Sequence, residues 1–485
     1  MAHVRQYVVM PMGSLRAREG QAESRSIELF TSMTVSPVPR TTRSAVDDHQ
    51  FRVLAEVAKN GAKLVLASTE QIRALRQEYP DVQVAPVVQY HLARALRPAP
   101  KVDLASPANA AVKNKLRVSV RDSQTGKALG GADVRAFTDF ANRFGAKAIT
   151  DMAGEAALDL DSTSVFIERL YVYPPLSGYW GTYRLDVMLS DGDCFDLSPV
   201  DLSHSDSLRT FLPPGKIHDG RGVRVAVIDT GVGPHPDLHA SGDPDNGDGH
   251  GTHVAGIIAS QGSLPDGLPG LAPGVEIYSY RVFGGNGMAP SFTVASAIDR
   301  AVQDGCDLIN LSLGYSTNNA EPVVQAAISD AYNAGSLCIA AAGNEGREPV
   351  EFPASDPKTL GISALGKIGT FPAGSIDELD IAGPQGADPN DFIAAFSNVG
   401  PEIDLTGPGV GIVSNAPNGG FGWMSGTSMA CPAVTGIAAR LLAADSLTLS
   451  LPRDAKRTQR ISQLIRESAR TLGFPGDLEG LGLPG

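Results

Sequence analysis

The 485-residue chain has few cysteines, few aromatic residues and no apolar stretch as long as a membrane span. Its four cysteines lie far apart and form no CxxC pair, which argues against a disulfide framework and against a structural zinc site. Lys and Arg number 40 against 53 Asp and Glu, and the formal net charge of −13 argues against nonspecific nucleic-acid binding. With 42% hydrophobic residues, the composition is that of a soluble globular protein of two or three domains.

A secretory signal peptide is also missing from the beginning of this sequence. The first twenty residues, MAHVRQYVVMPMGSLRAREG, lack both the apolar core and the small-residue cleavage site of such a signal. We therefore expect a cytoplasmic protein with no membrane span, and export by another route is the alternative.

Three regions of the chain differ in their residue patterns. Residues 1–97 combine strand-like runs with one clear helix, STEQIRALRQEYP, capped by Ser68, and predict a small α+β domain. A linker rich in Pro and Ala covers 98–114. Residues 115–205 have short alternating strands around Gly-containing turns, which predicts a β-sandwich. In 216–485 strands alternate with helices, which predicts a parallel sheet covered by helices.

The segment DNGDGHGTHVAG places His250 and His253 three positions apart and raises the question of a metal site. Zinc peptidases of the HExxH type have two histidines four positions apart with a glutamate between them, which this segment lacks. Asp243, Asp245 and Asp248 carry oxygen ligands that suit calcium better than zinc. The spacing therefore favours a catalytic histidine over a zinc site and leaves calcium open as a structural ion.

A catalytic histidine needs a nucleophile and an orienting carboxylate, and two other segments offer them. Asp229 ends the apolar strand VRVAVIDTG. In an open parallel sheet, the carboxyl ends of the strands line the crevice in which ligands bind. Ser428 follows a Gly-Thr turn in SGTSMACP and opens a helix, where backbone N–H groups can stabilise an oxyanion. Singly, Asp229 could be a turn residue and Ser428 a helix cap. Only their conjunction with His250 predicts catalysis by an activated serine.

The segments VIDTGVGPHPDL, GHGTHVAG and GTSMACP resemble, in this order, the three signatures of the subtilisin-like serine proteases, or subtilases. The resemblance covers roughly residues 216–485 and implies a subtilisin-like α/β domain with serine endopeptidase activity and no required cofactor. It implies that Asp229 orients the base, that His250 is the general base and that Ser428 is the nucleophile. Asn344 in AAAGNEG would be the side-chain oxyanion donor.

The same resemblance implies a substrate cleft between two edge segments that pair with the substrate backbone. The residues on these two edges are Gly287, Met288, Ala289, Ser312, Leu313 and Gly314. Leu313 and residues 341–343 suggest an apolar S1 pocket, so we expect large apolar residues before the scissile bond. Residues 367–391, rich in Gly, Pro and Asp, look like an inserted surface loop.

The first region resembles, over AKLVLASTEQIRALRQEYPDVQVAPVVQYHLARAL, the inhibitory propeptide of subtilases, with a tail that would enter the active site. That alignment puts Ala93 at P4 and Leu96 at P1, so we expect cleavage between Leu96 and Arg97. The family's acidic docking residues are missing at 88–90, and an unrelated α+β domain is the alternative. The middle region resembles a transthyretin-like or carboxypeptidase-regulatory-like sandwich.

Protein or peptide substrates and the chain's own N-terminal domain are therefore the expected partners. Two alternatives to hydrolysis stay open. A transpeptidase or macrocyclase would use the same triad with an amine in place of water, and only the mass of the product distinguishes it. An inactive binding scaffold would not need Asp229, His250, Ser428 and Asn344 together, which argues against that alternative.

Overall fold

The structure, a computed structural model, describes residues 4–17, 25–35, 52–95, 115–160, 164–175, 178–264, 267–316 and 321–485. The predicted linker 98–114 and the predicted cleavage site Leu96–Arg97 lie outside these residues. The described parts form an N-terminal α+β unit, a β unit of two sheets and a large α/β unit.

The N-terminal unit is a four-stranded antiparallel sheet in the order β2-β3-β1-β4. Its elements are β1 (Val4–Pro11), α1 (Arg25–Ser32), β2 (Arg52–Glu56), β3 (Lys63–Ser68), α2 (Thr69–Glu78), β4 (Val82–Pro86) and β5 (Gln89–Leu92). The predicted helix is confirmed as α2, because the Ser68 side chain accepts from the Gln71 N–H and the Gln71 side chain accepts from the Ser68 N–H. The sequence VQVAPVVQYHLA contains two strands, β4 and β5, and only β4 belongs to this sheet.

The middle unit consists of two facing sheets around one apolar core. Its strands are β6 (Leu116–Asp122), β7 (Asp133–Asp139), β8 (Phe144–Ile149), β9 (Glu155–Leu158), β10 (Ser164–Tyr173), β11 (Thr182–Ser190) and β12 (Asp193–Leu197). One sheet has the order β11-β10-β7-β8 and the other β12-β6-β9. The alternation of buried and exposed residues in β6 is the pattern that a sheet with one solvated face requires.

The large unit contains a mainly parallel sheet in the order β14-β15-β13-β17-β19-β20-β21, with β22 also pairing with β20. Up to the middle of the sheet its elements are α3 (Ser207–Phe211), β13 (Arg224–Asp229), β14 (Ala240–Gly242), α4 (His250–Ala259), β15 (Glu276–Arg281), β16 (Met288–Pro290), α5 (Ser291–Gln303), β17 (Leu308–Leu311), β18 (Leu313–Gly314), α6 (Pro322–Asn333) and β19 (Leu337–Ala341). The predicted subtilisin-like α/β fold is therefore present.

The remaining elements complete this unit and carry its most buried helix. They are β20 (Thr359–Lys367), β21 (Asp391–Ile393), β22 (Leu405–Pro408), β23 (Ile412–Ala416), β24 (Gly420–Met424), α7 (Thr427–Ala444), α8 (Ser446–Leu449), α9 (Ala455–Glu467), β25 (Ala469–Arg470), α10 (Gly476–Glu479) and β26 (Leu483–Pro484). Contrary to the expectation from sequence, one described helix, α7, is long and apolar enough to cross a membrane, but 78% of it is buried inside the protein. Its composition is thus explained by its place in the core.

The order of the central strands brings the predicted site segments together. Strands β13, β17 and β19 are neighbours and parallel, so their carboxyl ends lie side by side. Asp229 ends β13, Ser312 follows β17, and Asn344 lies just beyond β19. Helices α4 and α7, which begin with His250 and with Thr427–Ser428, pack against each other beside these strands. At the carboxyl ends of these central strands, the fold therefore brings together residues that are up to 199 positions apart in the sequence.

The N-terminal unit docks on α5 and α6. The Leu15 N–H and the Ser14 hydroxyl donate to Asp330 Oδ2 at 2.8 and 3.0 Å, and Arg16 pairs with Asp299 at 2.7 Å. These polar contacts come from residues 14–16, just after β1, and not from residues 88–90. Beyond this contact, β5 leaves its own unit and pairs with β16 and β18.

The prediction that residues 367–391 form a surface loop is wrong in one part. Within them, a 3₁₀ turn over Ile376–Asp380 lies between the middle unit and β24. Thr182 and Ser375 form a β-bridge, and the Tyr183 hydroxyl donates to Glu378 at 3.2 Å. Asp377 is completely buried. This insertion connects the middle unit to the segment that precedes Ser428.

A buried ion pair attaches α9 to the central sheet and gives a stability prediction. Arg457 is 2% exposed and donates to Asp307 Oδ1 at 2.8 Å and to the Gly335 carbonyl at 2.7 Å. We expect Arg457→Met to lower the free energy of unfolding by about 2 kcal/mol, because the Gly335 carbonyl loses this donor while Asp307 keeps Arg453 at 2.8 Å. Arg460→Met on the same helix, where the arginine is 39% exposed, should cost less than about 1 kcal/mol. Equal losses in denaturant unfolding would contradict the assignment.

Candidate active site

Asp229 and His250 form a buried hydrogen-bonded pair. His250 Nδ1 lies 2.9 Å from Asp229 Oδ1 and 3.0 Å from Oδ2, and both side chains are fully buried. Since a carboxylate only accepts, the proton of the neutral imidazole is on Nδ1 and Nε2 has a free lone pair. Gly251 makes this contact possible, because a Cβ there would overlap the Gly231 carbonyl and press on Asp229. The pair therefore has the tautomer and orientation that a general base requires.

Ser428 is the second residue of α7 and is fully buried. Its hydroxyl donates to the Ser312 carbonyl at 3.1 Å rather than to His250, whose Nε2 is buried and has no partner. Catalytic hydrogen bonds are often long or misaligned until a substrate is bound productively. The hydroxyl has to rotate away from Ser312 before His250 can take its proton.

Two candidate donors for an oxyanion lie close to Ser428 in the structure. The Asn344 side-chain oxygen accepts from the Thr427 N–H at 2.9 Å, which fixes the amide so that its Nδ2 group is buried with no partner. The Ser428 N–H donates at 2.8 Å to the carbonyl oxygen of Ala93, in the segment that follows β5. A backbone N–H and a side-chain amide beside a nucleophile are the donor types from which an oxyanion hole is built.

The chain passes through this site without a break in the residues described up to Ala95. The Ala93 N–H donates to the Ser312 carbonyl at 3.2 Å, and the Ala95 N–H donates to the Ser425 carbonyl at 3.0 Å. Gly426 leaves room for this path, because a Cβ at this position would lie 2.9 Å from both the Ala93 oxygen and Arg94 Cα. Residues on both sides of the Ala93–Arg94 peptide bond are thus held as a substrate would be.

Strand β5 lies between the two predicted edge segments and is antiparallel to both. Met288 pairs with His91 and Ala289 with Tyr90, while Leu313 pairs with Leu92 and Gly314 with His91. Gly287 lies one residue before β16, outside this register, and its N–H donates to the Gly284 carbonyl instead. Of the predicted edge residues, all but Gly287 therefore contact the substrate-like segment.

The predicted register of this segment is shifted by three residues in the structure. Ala93, expected at P4, has its carbonyl on the Ser428 N–H and therefore occupies P1, and Tyr90 takes P4. The reason is the size of the P4 site. Tyr90 is fully buried 5.6 Å from the Tyr315 ring, and its hydroxyl donates to Glu321 at 3.1 Å. The alignment placed an alanine where the protein has a deep aromatic site.

The second histidine of the motif has a structural position. His253 is fully buried, and its Nε2 lies 3.1 Å from the carbonyls of Ile412 and Gly422 on β23 and β24. Burial, together with the charge of His250, lowers the pKa of His253 to about 3, so the ring is neutral. His253 therefore ties α4 to the hairpin before Ser428.

The aspartates considered for calcium are already engaged by donors. Asp245 accepts from the N–H groups of Gly247 and Gly249, and Asp243 accepts from the Arg281 N–H at 3.0 Å. Asp248 pairs with Arg94 at 3.2 Å. These carboxylates stabilise the loop before α4, and among the described residues they do not belong to a group of three ligand atoms within 4.8 Å of one another.

A different group carries metal-type ligands. Within the described ranges, the one cluster whose His, Cys, Asp or Glu ligand atoms all lie within 4.8 Å is His91, Glu345 and Glu351. His91 Nε2 lies 3.1 Å from Glu351 Oε1, and this bond raises the pKa of His91. The cluster borders β18 and residues 341–343, which were expected to line an apolar pocket. The sequence interpretation missed Glu351 because EPVEFPA belongs to none of the recognised motifs.

Asp377 supports the other side of the cleft. The Ser425 hydroxyl and the Trp423 Nε1–H donate to Asp377 Oδ1 at 2.6 and 2.9 Å. Ser425 is the residue whose carbonyl accepts the Ala95 N–H. Burial raises the pKa of Asp377 to about 6, and its hydrogen bonds with Ser425 and Trp423 oppose this shift. Asp377 thus positions the backbone that holds the residues after Ala93.

Comparisons with known proteins concern mainly the large unit. A sequence model of the subtilase family matches residues 220–483. The thermostable alkaline protease of Halalkalibacterium halodurans is 34% identical over 273 residues, 54% of this chain and 66% of that protein. Alkaline elastase YaB of a Bacillus species is 35% identical over 229 residues, 45% of this chain and 54% of that protein. The chain thus spans between half and two thirds of the length of these relatives.

Two solved structures are similar as well. The prenylagaramide maturation protease PagA is 28% identical, with 54% of this chain and 90% of that chain covered and a TM-score of 0.44. Sphericase is also 28% identical, with 57% and 96% covered and a TM-score of 0.46.

The buried Asp377 predicts a pH-dependent stability difference. Its pKa in the folded protein, about 6, lies above the ordinary value of 3.8, so its contribution to stability is complete below pH 4 and is lost as pH rises through 6. Asp377→Asn keeps an acceptor and removes the charge. The melting temperature of the variant minus that of the wild type should therefore increase between pH 4 and 7 and then level off. The exposed Asp477→Asn is the control, and a pH-independent difference for Asp377→Asn would refute the account.

Proposed function

Because the chain belongs to the subtilase family, we propose that it is a serine endopeptidase whose own residues 89–95 occupy the cleft as a tethered inhibitor. One observation carries this proposal: a peptide carbonyl of the chain, that of Ala93, accepts the Ser428 N–H at 2.8 Å. The bond between Ala93 and Arg94 thus has the position of a scissile bond, and the residues before it pair with both cleft edges.

In the proposed reaction His250 Nε2 removes the Ser428 hydroxyl proton as Oγ attacks the substrate carbonyl carbon. Asp229 keeps the Nδ1 proton of His250 in place and stabilises the imidazolium that forms. The imidazolium then protonates the leaving amine, and the acyl-enzyme is hydrolysed by a water that His250 deprotonates in turn. This reaction needs no metal, since proton transfer and oxyanion stabilisation come from side chains and backbone.

Oxyanion stabilisation is assigned to the Ser428 N–H and Asn344 Nδ2. The free and buried Nδ2 group supports this role, because a donor without a partner in the resting protein can gain a bond when negative charge develops on the substrate oxygen. The Thr427 N–H and hydroxyl hold the Asn344 oxygen at 2.9 and 3.1 Å, so the amide does not need to reorganise.

The N-terminal region is assigned as the inhibitory domain, with the middle region as a transthyretin-like module. The contacts of Ser14, Leu15 and Arg16 with α5 and α6, and the burial of Tyr90, support inhibition by a docked domain. The two-sheet core of the middle region supports the second assignment. The domain limits proposed are 1–97, 115–205 and 216–485, with a linker at 98–114.

The role of Asn344 predicts a specific kinetic defect. We expect Asn344→Ala to lower kcat for a peptide substrate by about a hundredfold, the scale of loss found for such a donor in subtilisin, with little change in KM. The exposed Asn390→Ala should leave both constants unchanged. A rise in KM at constant kcat would instead place Asn344 in ground-state binding.

The position of the Ala93 carbonyl predicts the site of self-cleavage. Wild-type protein should be cut between Ala93 and Arg94, so that intact mass and N-terminal sequencing identify a fragment that begins at Arg94. Ser428→Ala should stay full length, because the cut requires the nucleophile. A wild-type fragment that begins at Arg97 would restore the register expected from sequence. A full-length wild type active on peptides would refute self-cleavage as the activating step.

A further inference from the structure

Two carboxylates lie beside the substrate-like segment, on the side of the cleft where an apolar pocket was expected. Glu351 is 2% exposed, and Glu345 is partly buried. Glu351 lies between two glycines of the cleft wall. A Cβ at Gly314 would overlap Glu351 Oε2, and a Cβ at Gly343 would lie 2.8 Å from both Glu351 Cγ and Glu345 Oε2. Only glycine at these two positions leaves space for the acidic groups.

Glu351 is held in place, but only one of its two carboxylate oxygens has hydrogen-bond partners. Its Oε1 accepts from the Ser316 hydroxyl and from His91 Nε2. Its Oε2 is buried and has no hydrogen-bond partner. A buried carboxylate oxygen without a donor is unfavourable, so the site is completed only when a further donor enters it.

Glu345 is fixed by its neighbours. Its Oε2 accepts from the Asn344 N–H and from Asn398 Nδ2, each at 2.7 Å. Burial raises the pKa of Glu345, and the nearby charge of Glu351 raises it further. The charge of Glu351 therefore disfavours the charge of Glu345, and a cation beside Glu345 would relieve that repulsion.

The segment in the cleft supplies one cation-forming group to these acids, the imidazole of His91. Along an extended chain, residues two apart lie on the same face, so the Ala93 side chain faces the same wall as His91. Ala93 is the residue before the scissile bond, and its methyl group cannot reach a carboxylate. The His91 side chain, at P3, thus reaches the acidic site that a long side chain at P1 could fill directly.

We propose that Glu351, assisted by Glu345, forms the floor of the pocket that selects Lys or Arg immediately before the scissile bond. This inference rests on the proposed endopeptidase function and replaces the expected preference for large apolar residues. The ammonium or guanidinium group would donate to Glu351 Oε2, the oxygen that lacks a partner. The alanine at position 93 then makes the chain's own segment a weaker substrate than a basic peptide, as a tethered inhibitor requires.

The test uses the full chain as purified and quenched fluorescent peptides of the form Tyr-Ala-Leu-X-Ser-Ala, with X as Lys, Arg, Leu, Phe or Ala. Alanine replaces the residue corresponding to His91, so that only X can reach the acids. We expect kcat/KM to be at least about tenfold higher for Lys or Arg than for Leu or Phe, because charge-assisted bonds to a buried acid are strong. A higher value for Leu or Phe would overturn the inference.

Variants identify the group responsible. Glu351→Gln keeps the shape and removes the charge, so it should remove the advantage of Lys and Arg while cleavage after Leu persists. Glu348→Gln changes an exposed glutamate of the same loop and should preserve the preference. An equal loss for all five peptides with Glu351→Gln would refute the inference. The inference would also be refuted if Lys raised kcat/KM only when it replaced the alanine at the position of His91, and not when it stood at X.

Peptide hydrolysis by the wild type and its variants distinguishes a failure of the endopeptidase function from a failure of the acidic pocket. If no peptide is hydrolysed by the wild type or by Tyr90→Ala, which removes the buried anchor of the inhibitory segment, and Ser428→Ala behaves as they do, the endopeptidase function itself is wrong. If peptides are hydrolysed in a Ser428-dependent way without a basic preference, only the acidic pocket is wrong.

Discussion

The hydrogen bond from the Ser428 N–H to the Ala93 carbonyl fixes the relation between the N-terminal unit and the large unit. It sets the register of β5 against β16 and β18, and with it the depth at which Tyr90 is buried. The polar contacts of residues 14–16 with α5 and α6 anchor the other end of the same unit. A shift of one residue in β5 would turn each of its side chains to the opposite face and lose these pairings.

Three buried polar atoms without partners lie around the Ala93 segment, and each suits a different part of a substrate. His250 Nε2 can take the hydroxyl proton, Asn344 Nδ2 can donate to the developing oxyanion, and Glu351 Oε2 can accept from a basic side chain. Buried polar groups are usually satisfied within a folded protein. The lack of partners for these three atoms fits a site that binds the transition state of a better substrate than the chain's own segment.

The sequence predicted the fold class and the neighbourhood of Asp229, His250, Ser428 and Asn344, because each lies in a motif whose local pattern determines its conformation. Ser68 and the strand that ends at Asp229 are examples of such local control. Features that depend on packing between distant segments were not predictable in this way. The depth at which Tyr90 is buried accompanies the placement of the Ala93 carbonyl on the Ser428 N–H, and the burial of Asp377 depends on the middle unit. Glu351 acquires its place only when β18 and residues 341–343 come together.

Reaction with a fluorophosphonate probe tests most directly whether Ser428 is an activated nucleophile covered by the chain's own segment. The labelling rate should be compared between the freshly purified wild type, Tyr90→Ala and Ser428→Ala. Tyr90→Ala removes the buried anchor of the segment, so we predict that it is labelled faster than the wild type, and that Ser428→Ala is not labelled. Labelling that persists in Ser428→Ala, or that is equally fast in the wild type and Tyr90→Ala, would contradict the account.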